Sequence, residues 1–495
     1  MTRKTKTRVL AATVAVFLVA HGWIGFGFQP KMSDTRLYAM YAFLFESAAR
    51  TGQSPYDAYE SSRRDSNRAY NRPAPQFDEI TIEYPPLALE LLRAAFAFVA
   101  DSSGTRVLHQ NDIDEWTQGF RHLYFFMHAV VLILATLWLR RHGFACTWGL
   151  AVGTVAGVVL LYVLYDRLDL CLGFLLLAAL AALVTGHRYL AMMALAAAVN
   201  LKLVPVLLVP LFLLGALPES VLTNGRLGRA SLRAMARALM AFAASGLAIV
   251  LPFRLAWGPR VWDFLAYHGK RGLQIESTWS SLLLLAAKLG YPAKIEHVFG
   301  ADEVVGPGTP TLAKASVVVM LGVLFMIYAI VWRSIRRASP EDSVQNPATS
   351  RLTLAEQRPQ LFVWGSFAVL SAAMATSKVF SPQYLCWFLP ALLLVEPARR
   401  IRESIPLVVF LVACGLTTLV YPVLWSEMVR ASMKEGQVVI FLPTLRATLL
   451  VLGRNSIWVA FCVLALIQLR SANVVAQAVS APGATTIRKS RRHRR

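Results

Sequence analysis

Acidic residues are scarce. The 495-residue chain has 28 Asp and Glu against 50 Lys and Arg, and only 16% of its residues are charged, where a soluble domain carries about 25%. With 56% hydrophobic residues and a mean hydropathy of +0.51, this composition excludes disorder and argues against one soluble globular domain. Cysteine is sparse as well. Cys146, Cys171, Cys386, Cys414 and Cys462 sit in or beside apolar runs without metal-ligand spacing, so neither a disulfide framework nor a zinc site is supported. A Walker A loop, a Rossmann glycine pattern and an HExxH motif are all missing, which argues against ATP-driven transport by this chain alone. No internal repeat is evident, which weakens a secondary-transporter reading.

Long apolar runs are abundant. They lie at about 9–28, 120–139, 145–165, 168–186, 189–215, 237–256, 312–332, 360–376, 383–395, 405–425 and 443–467, and about 20 residues suffice to cross a bilayer core. The fold expected is an all-α polytopic membrane protein of roughly 11–13 transmembrane or half-membrane helices. The first run follows Arg3, Lys4, Lys6 and Arg8, has no small-residue cleavage site and ends in Trp23, Phe26 and Phe28. It reads as an uncleaved anchor with a cytosolic N-terminus. Residues 29–119 form a long first extracytosolic loop, with amphipathic surface helices expected at 35–50 and 87–100. Residues 1–470 form the membrane domain, and 471–495 a basic cytosolic tail.

Short basic loops give the orientation. Arg140 and Arg141, Arg188, the arginines of 226–237, 333–337 and 399–402, and the tail 488–495 fall on one side, which the positive-inside bias assigns to the cytosol. The alternation works only if 189–215, interrupted by Asn200, Lys202 and Pro205, enters and leaves on the same side as two half-helices. The alternative is one long tilted span with a kink. The net charge of +22 then marks orientation and contact with membrane lipids, and nucleic acid drops out as a partner.

Costly polar groups gather at the non-cytosolic ends of the runs. Asp34 follows the first span, either as a helix N-cap or as a carboxylate poised as a general base. Gly52-Gln-Ser-Pro-Tyr56 and Glu83-Tyr84-Pro-Pro-Leu87 carry turn chemistry, with Glu83 a minor catalytic candidate. Lys202 stands at the proposed half-helix tip, snorkelling or binding a lipid phosphate. Residues 267–279 pack His268, Lys270, Arg271, Gln274, Glu276, Ser277 and Trp279 together, groups suited to phosphate, proton transfer and sugar stacking. Lys378-Val-Phe-Ser-Pro-Gln383-Tyr384 adds a further cation on the same side.

In this order the segments resemble the family 87 glycosyltransferases, membrane enzymes of the GT-C architecture that use polyprenyl-phosphate sugars. The resemblance spans about residues 9–467. Its carriers are the early Asp34 with the helix after it, Gly-x-x-Pro-Tyr, Glu-Tyr-Pro-Pro-Leu, Asn200-Leu-Lys-x-x-Pro, the His268 segment and the Lys378 segment. It implies a GT-C-like bundle in residues 1–470. The implied reaction transfers a hexose, such as mannose, from a polyprenyl-phosphate donor to a lipid-linked or glycan acceptor on the extracytosolic face of the plasma membrane, with inversion.

The resemblance makes Asp34 the general base, while His268 takes part in proton transfer or holds the donor phosphate. Lys202, Arg271 and Lys378 are the candidates for stabilising the departing phosphate. Tyr84, Gln274, Glu276, Trp279 and Gln383 are candidate substrate contacts. No cofactor is required, and since three cations can offset the phosphate, a divalent metal is possible but not indicated. The competing readings are a lipid or lipid-linked-sugar transporter without bond chemistry, and a membrane scaffold acting through its basic tail.

Overall fold

The computed structural model describes residues 2–28, 35–61, 82–99, 110–218, 222–223, 226–298, 301–337, 352–397, 401–434 and 437–480. They are 80% helical. Among them, seven helices are long and apolar enough to cross a membrane: Lys4–Gly27, Ile113–Arg141, Arg229–Trp257, Thr309–Arg336, Pro359–Thr376, Ile401–Val423 and Leu445–Arg470. Shorter apolar helices stand between them. The chain is an all-α multi-pass membrane protein.

In chain order the helices are α1 (Arg3–Gly22), α2 (Thr35–Thr51), α3 (Pro86–Val99), α4 (Gln110–Arg141), α5 (Thr147–Val159), α6 (Asp169–Val184), α7 (Arg188–Leu201) and α8 (Val209–Gly215). Next come α9 (Arg229–Trp257), α10 (Asp263–Lys270), α11 (Thr278–Lys288), α12 (Thr309–Arg337), α13 (Pro359–Thr376), α14 (Ile401–Thr418) and α15 (Leu445–Ser480). The sheet content described is three two-stranded antiparallel hairpins. The largest two are Lys294–Val298 with Ala301–Val305 (β3–β4), and Arg430–Lys434 with Gln437–Phe441 (β5–β6), while Leu222–Thr223 and Arg226–Leu227 form β1–β2.

The centre is α13. Every residue from Leu361 to Ala375 is buried, as expected for a helix apolar on all sides. It packs against α12 and α15. On the outside, α9 and α12 expose Leu247, Leu251, Leu255, Val318, Leu321 and Phe325, the surface that lipid tails would cover.

The 188–217 segment turns back on itself. Gly186, at φ 83°, ends the α6 descent in a left-handed turn that glycine tolerates. The α7 helix then returns as far as Lys202, where the backbone is extended (φ −156°, ψ 132°). A 3₁₀ turn, Val204–Leu208, and α8 descend again, with Pro205 and Pro210 each in a first turn where the missing N–H costs nothing. Leu217 O accepts from Leu354 N at 2.9 Å, and Glu356 lies against Gly186. Both ends of the segment therefore reach the same one-turn helix, Leu354–Gln357, and Lys202 is the tip.

Three expectations change. The run at 383–395 is not an α-helix. It forms two buried 3₁₀ stretches, Pro382–Trp387 and Pro390–Leu394, because Pro390 cannot donate to an α-helical ladder. It packs closely on α5 and α6: a Cβ on Gly149 would overlap the Leu392 carbonyl, and one on Gly173 would lie 2.8 Å from Cys386 O. The run at 145–165 is helical only to Val159, and the turns after it bury Tyr165, Asp166 and Arg167. Finally, α2 and α3 do not lay their apolar faces on a membrane surface. Tyr38, Ala39, Ala42 and Phe45 are buried against protein, with Tyr38 beside Phe120 of α4 and Phe45 beside Trp257 of α9.

Candidate functional site

Four chain segments meet at one end of the bundle: the Lys202 tip, the start of α6, the chain following α10, and the turn after α13. At the first junction Lys202 Nζ donates to Asp169 Oδ1 at 2.7 Å. The same oxygen accepts from Trp387 Nε1 at 2.6 Å. Tyr384 and Trp387 stack with centroids 4.4 Å apart, and the ammonium lies 4.6 Å and 5.3 Å from their ring centroids. A desolvated ammonium is stabilised by an opposite charge and by aromatic faces. Lys202 has all of these, so it is a paired cation and not a free one.

The second wall comes from 267–276. Tyr267 donates to Glu83 Oε2 at 3.0 Å. His268, half-buried, hydrogen-bonds the Glu83 backbone carbonyl. Arg271 is 9% exposed; its guanidinium lies 5.9 Å from the Tyr267 ring, and its Nε 3.8 Å from Glu303 Oε1. Both Glu303 oxygens accept from Gly272 N at 3.0 Å, which ties the loop to β4. Lys378 Nζ donates to the carbonyls of Gly269, at 3.2 Å, and Arg271. It thereby fixes the loop from the α13 side.

These groups share one electrostatic environment. Burial, and after it the charges of Arg271, Lys202 and Lys378, hold the His268 imidazole at about 4, well below its usual 6.5. It is neutral at physiological pH, with a ring N–H engaged by a carbonyl. Burial also lowers Lys378 from its ordinary value. The field of Glu83 reaches both Lys202 and Arg271.

Of the remaining candidates, Gln274, Trp279 and Tyr84 direct their polar groups to protein partners. The Gln274 amide is spent on a clasp: Nε2 donates to Ser381 Oγ at 3.0 Å, and Oε1 accepts from Phe380 N at 2.9 Å. Trp279 Nε1 donates to Thr376 O at 2.7 Å. Tyr84 is buried with its hydroxyl 3.2 Å from that of Tyr38. Glu276 is 2% exposed, and burial pushes its carboxyl to about 7 against the pull of Arg454 and Arg167. Its backbone oxygen accepts from Arg454 Nη2 and Asn455 Nδ2. Gln383 is half-buried on the turn that carries Tyr384. Asp34 lies outside the described residues, as does 481–495 of the tail.

Several buried charges do not stand out in the sequence. Asp169 anchors Lys202, Asp166 pairs with Arg121 at 3.7 Å, and Arg167 donates to Tyr421 at 3.3 Å. A signal for them exists: Asp166-Arg167-Leu168-Asp169 puts three charges between two apolar runs, where charge is costly unless paired. Among the described residues no group of three or more His, Cys, Asp or Glu could hold a metal ion. No family model, curated protein or solved structure matches the chain.

Proposed function

We propose that the protein is a membrane glycosyltransferase of GT-C type. It would transfer a hexose, with mannose the leading candidate, from a polyprenyl-phosphate donor to a lipid-linked or glycan acceptor. The observation that carries this reading is the meeting of Lys202, Arg271, Lys378, His268 and Glu83 at one end of an apolar bundle. A lipid phosphate leaving with a bonding electron pair needs cations at the membrane boundary, and a sugar needs carboxylates and aromatic faces beside them.

In the proposed step the acceptor hydroxyl oxygen bonds to the anomeric carbon as the bond from that carbon to the phosphate oxygen breaks. The phosphate departs as an anion toward Arg271, with Lys202 and Lys378 behind it. The hydroxyl proton passes to Asp34. A single displacement inverts the anomeric centre. Neutral His268 holds a donor oxygen or orients the acceptor. The basic groups Arg140, Arg141, Arg188 and Arg336 belong to the other end of the bundle, where Trp138, His142 and His187 cluster. The positive-inside bias puts that end and both termini in the cytosol, and the site outside it at the plasma membrane.

The test uses protein reconstituted in liposomes with radiolabelled polyprenyl-phosphate mannose and candidate glycolipids. The wild type forms a labelled glycolipid, and Asp34→Asn and Arg271→Ala each lower its rate by a hundredfold or more, the order seen when a general base or an oxyanion-stabilising group is removed. Undiminished transfer in Asp34→Asn would remove that residue as the base.

A further inference from the structure

Among the described residues, most carboxylates near the site are either deeply buried or engaged with protein groups. Asp169 is 2% exposed and holds Lys202 and Trp387. Asp166 is buried beside Arg121. Glu276 is 2% exposed and closed off from solvent, with Oε1 lacking a hydrogen bond among the described residues, and Glu303, 4% exposed, holds the Gly272 amide. Glu83 differs. It is half-buried, and its side-chain partner among the described residues is the neutral Tyr267 hydroxyl, on Oε2. Its charge reaches Lys202 and Arg271, yet no ion pair joins it to either. Arg271 Nε is buried without a hydrogen bond among the described residues, with Glu303 Oε1 3.8 Å away.

A carboxylate and a guanidinium in each other's field, neither neutralising the other directly, call for a ligand that completes both. An anion answers Arg271, and hydroxyl donors answer Glu83. We propose that Glu83 binds the sugar hydroxyls of a hexose phosphate whose phosphate lies against Arg271, with Tyr267 as the residue that positions the carboxylate. The lone pairs left by Tyr267 accept ring hydroxyls, and a charged acceptor makes those hydrogen bonds stronger than neutral ones. The Glu83 backbone adds rigidity: its carbonyl engages His268, and Pro85-Pro86 follow at the start of α3. This assignment rests on the proposed function and gives that site its sugar-recognising half.

Binding of mannose 1-phosphate and of inorganic phosphate to the purified full-length protein tests it without any transfer reaction. The wild type prefers the hexose phosphate. Glu83→Gln, checked for folding by its thermal melt, loses roughly tenfold of that preference, the worth of one or two charge-assisted hydrogen bonds, and binds inorganic phosphate as before. Tyr267→Phe loses a smaller part, which a merely structural role would not confine to the hexose phosphate. An unchanged preference in Glu83→Gln overturns the assignment and leaves the phosphate site standing. Failure of the wild type to bind either anion overturns the assignment together with the proposed function.

Discussion

Asp169 shows how one residue decides what its neighbours can do. The lysine at the hairpin tip reads in the sequence as snorkelling or as binding a lipid phosphate, and in the structure its ammonium is engaged with a carboxylate that is 2% exposed. Removing one partner of a buried pair strands the other. Asp169→Asn is therefore expected to destabilise the solubilised protein by about 3 kcal/mol, read as a drop in its unfolding midpoint. A shift near zero would mean that Lys202 finds water instead.

His268 gives a pH signature at the same scale. Its folded-state value lies at about 4, below the 6.5 of an unhindered imidazole. Between those two values the unfolded chain binds a proton that the folded protein refuses, so stability is complete above pH 6.5 and falls as pH drops toward 4. Denaturation at a series of pH values should show this slope in the wild type and a shallower one in His268→Asn.

At the scale of elements, the apolar runs were legible and their internal geometry was not. Hydropathy locates α1, α4, α9, α12, α13 and α15 because a membrane-crossing helix needs length and apolarity, both properties of the sequence. The same measure cannot tell an α-helix from buried 3₁₀ turns, so 383–395 reads as one span where Pro382 and Pro390 impose two tight stretches. Nor does an amphipathic pattern say what its apolar face meets: in α2 it is Phe120 and Trp257, partners distant in sequence.

Charge alternation demands that 189–215 return to its starting side, and Leu217 and Gly186 both lie against Leu354–Gln357. Of the site, His268 and Arg271 are visible as part of the dense polar cluster at 267–279, and Lys378 as a cation in a separate segment. Asp169 and the Arg454–Glu276 contact depend on which distant helices meet. The 3₁₀ packing yields its own expectation. Gly149→Ala would push a methyl group into the Leu392 carbonyl, an overpacking that costs about 1–3 kcal/mol and is measurable as a lower melting temperature. An unchanged melt would mean that the 3₁₀ segment can slide away from α5.

The molecule as a whole separates two charge environments. Arg140, Arg141, Arg188 and Arg336 stand at one end of the bundle, while the other gathers the paired lysine, the Arg271 guanidinium beside Glu303, the neutral imidazole and the half-buried carboxylate. The chemistry proposed above belongs to the end that the short basic loops do not mark. Bond-forming transfer and simple lipid movement make opposite demands on this architecture. The most direct measurement follows labelled polyprenyl-phosphate mannose in liposomes containing the purified protein and a lipid extract, with the anomeric configuration of any product determined. A glycolipid whose anomeric centre is inverted relative to the donor is the predicted result. Movement of the intact labelled donor across the bilayer with no glycoside formed would contradict the account.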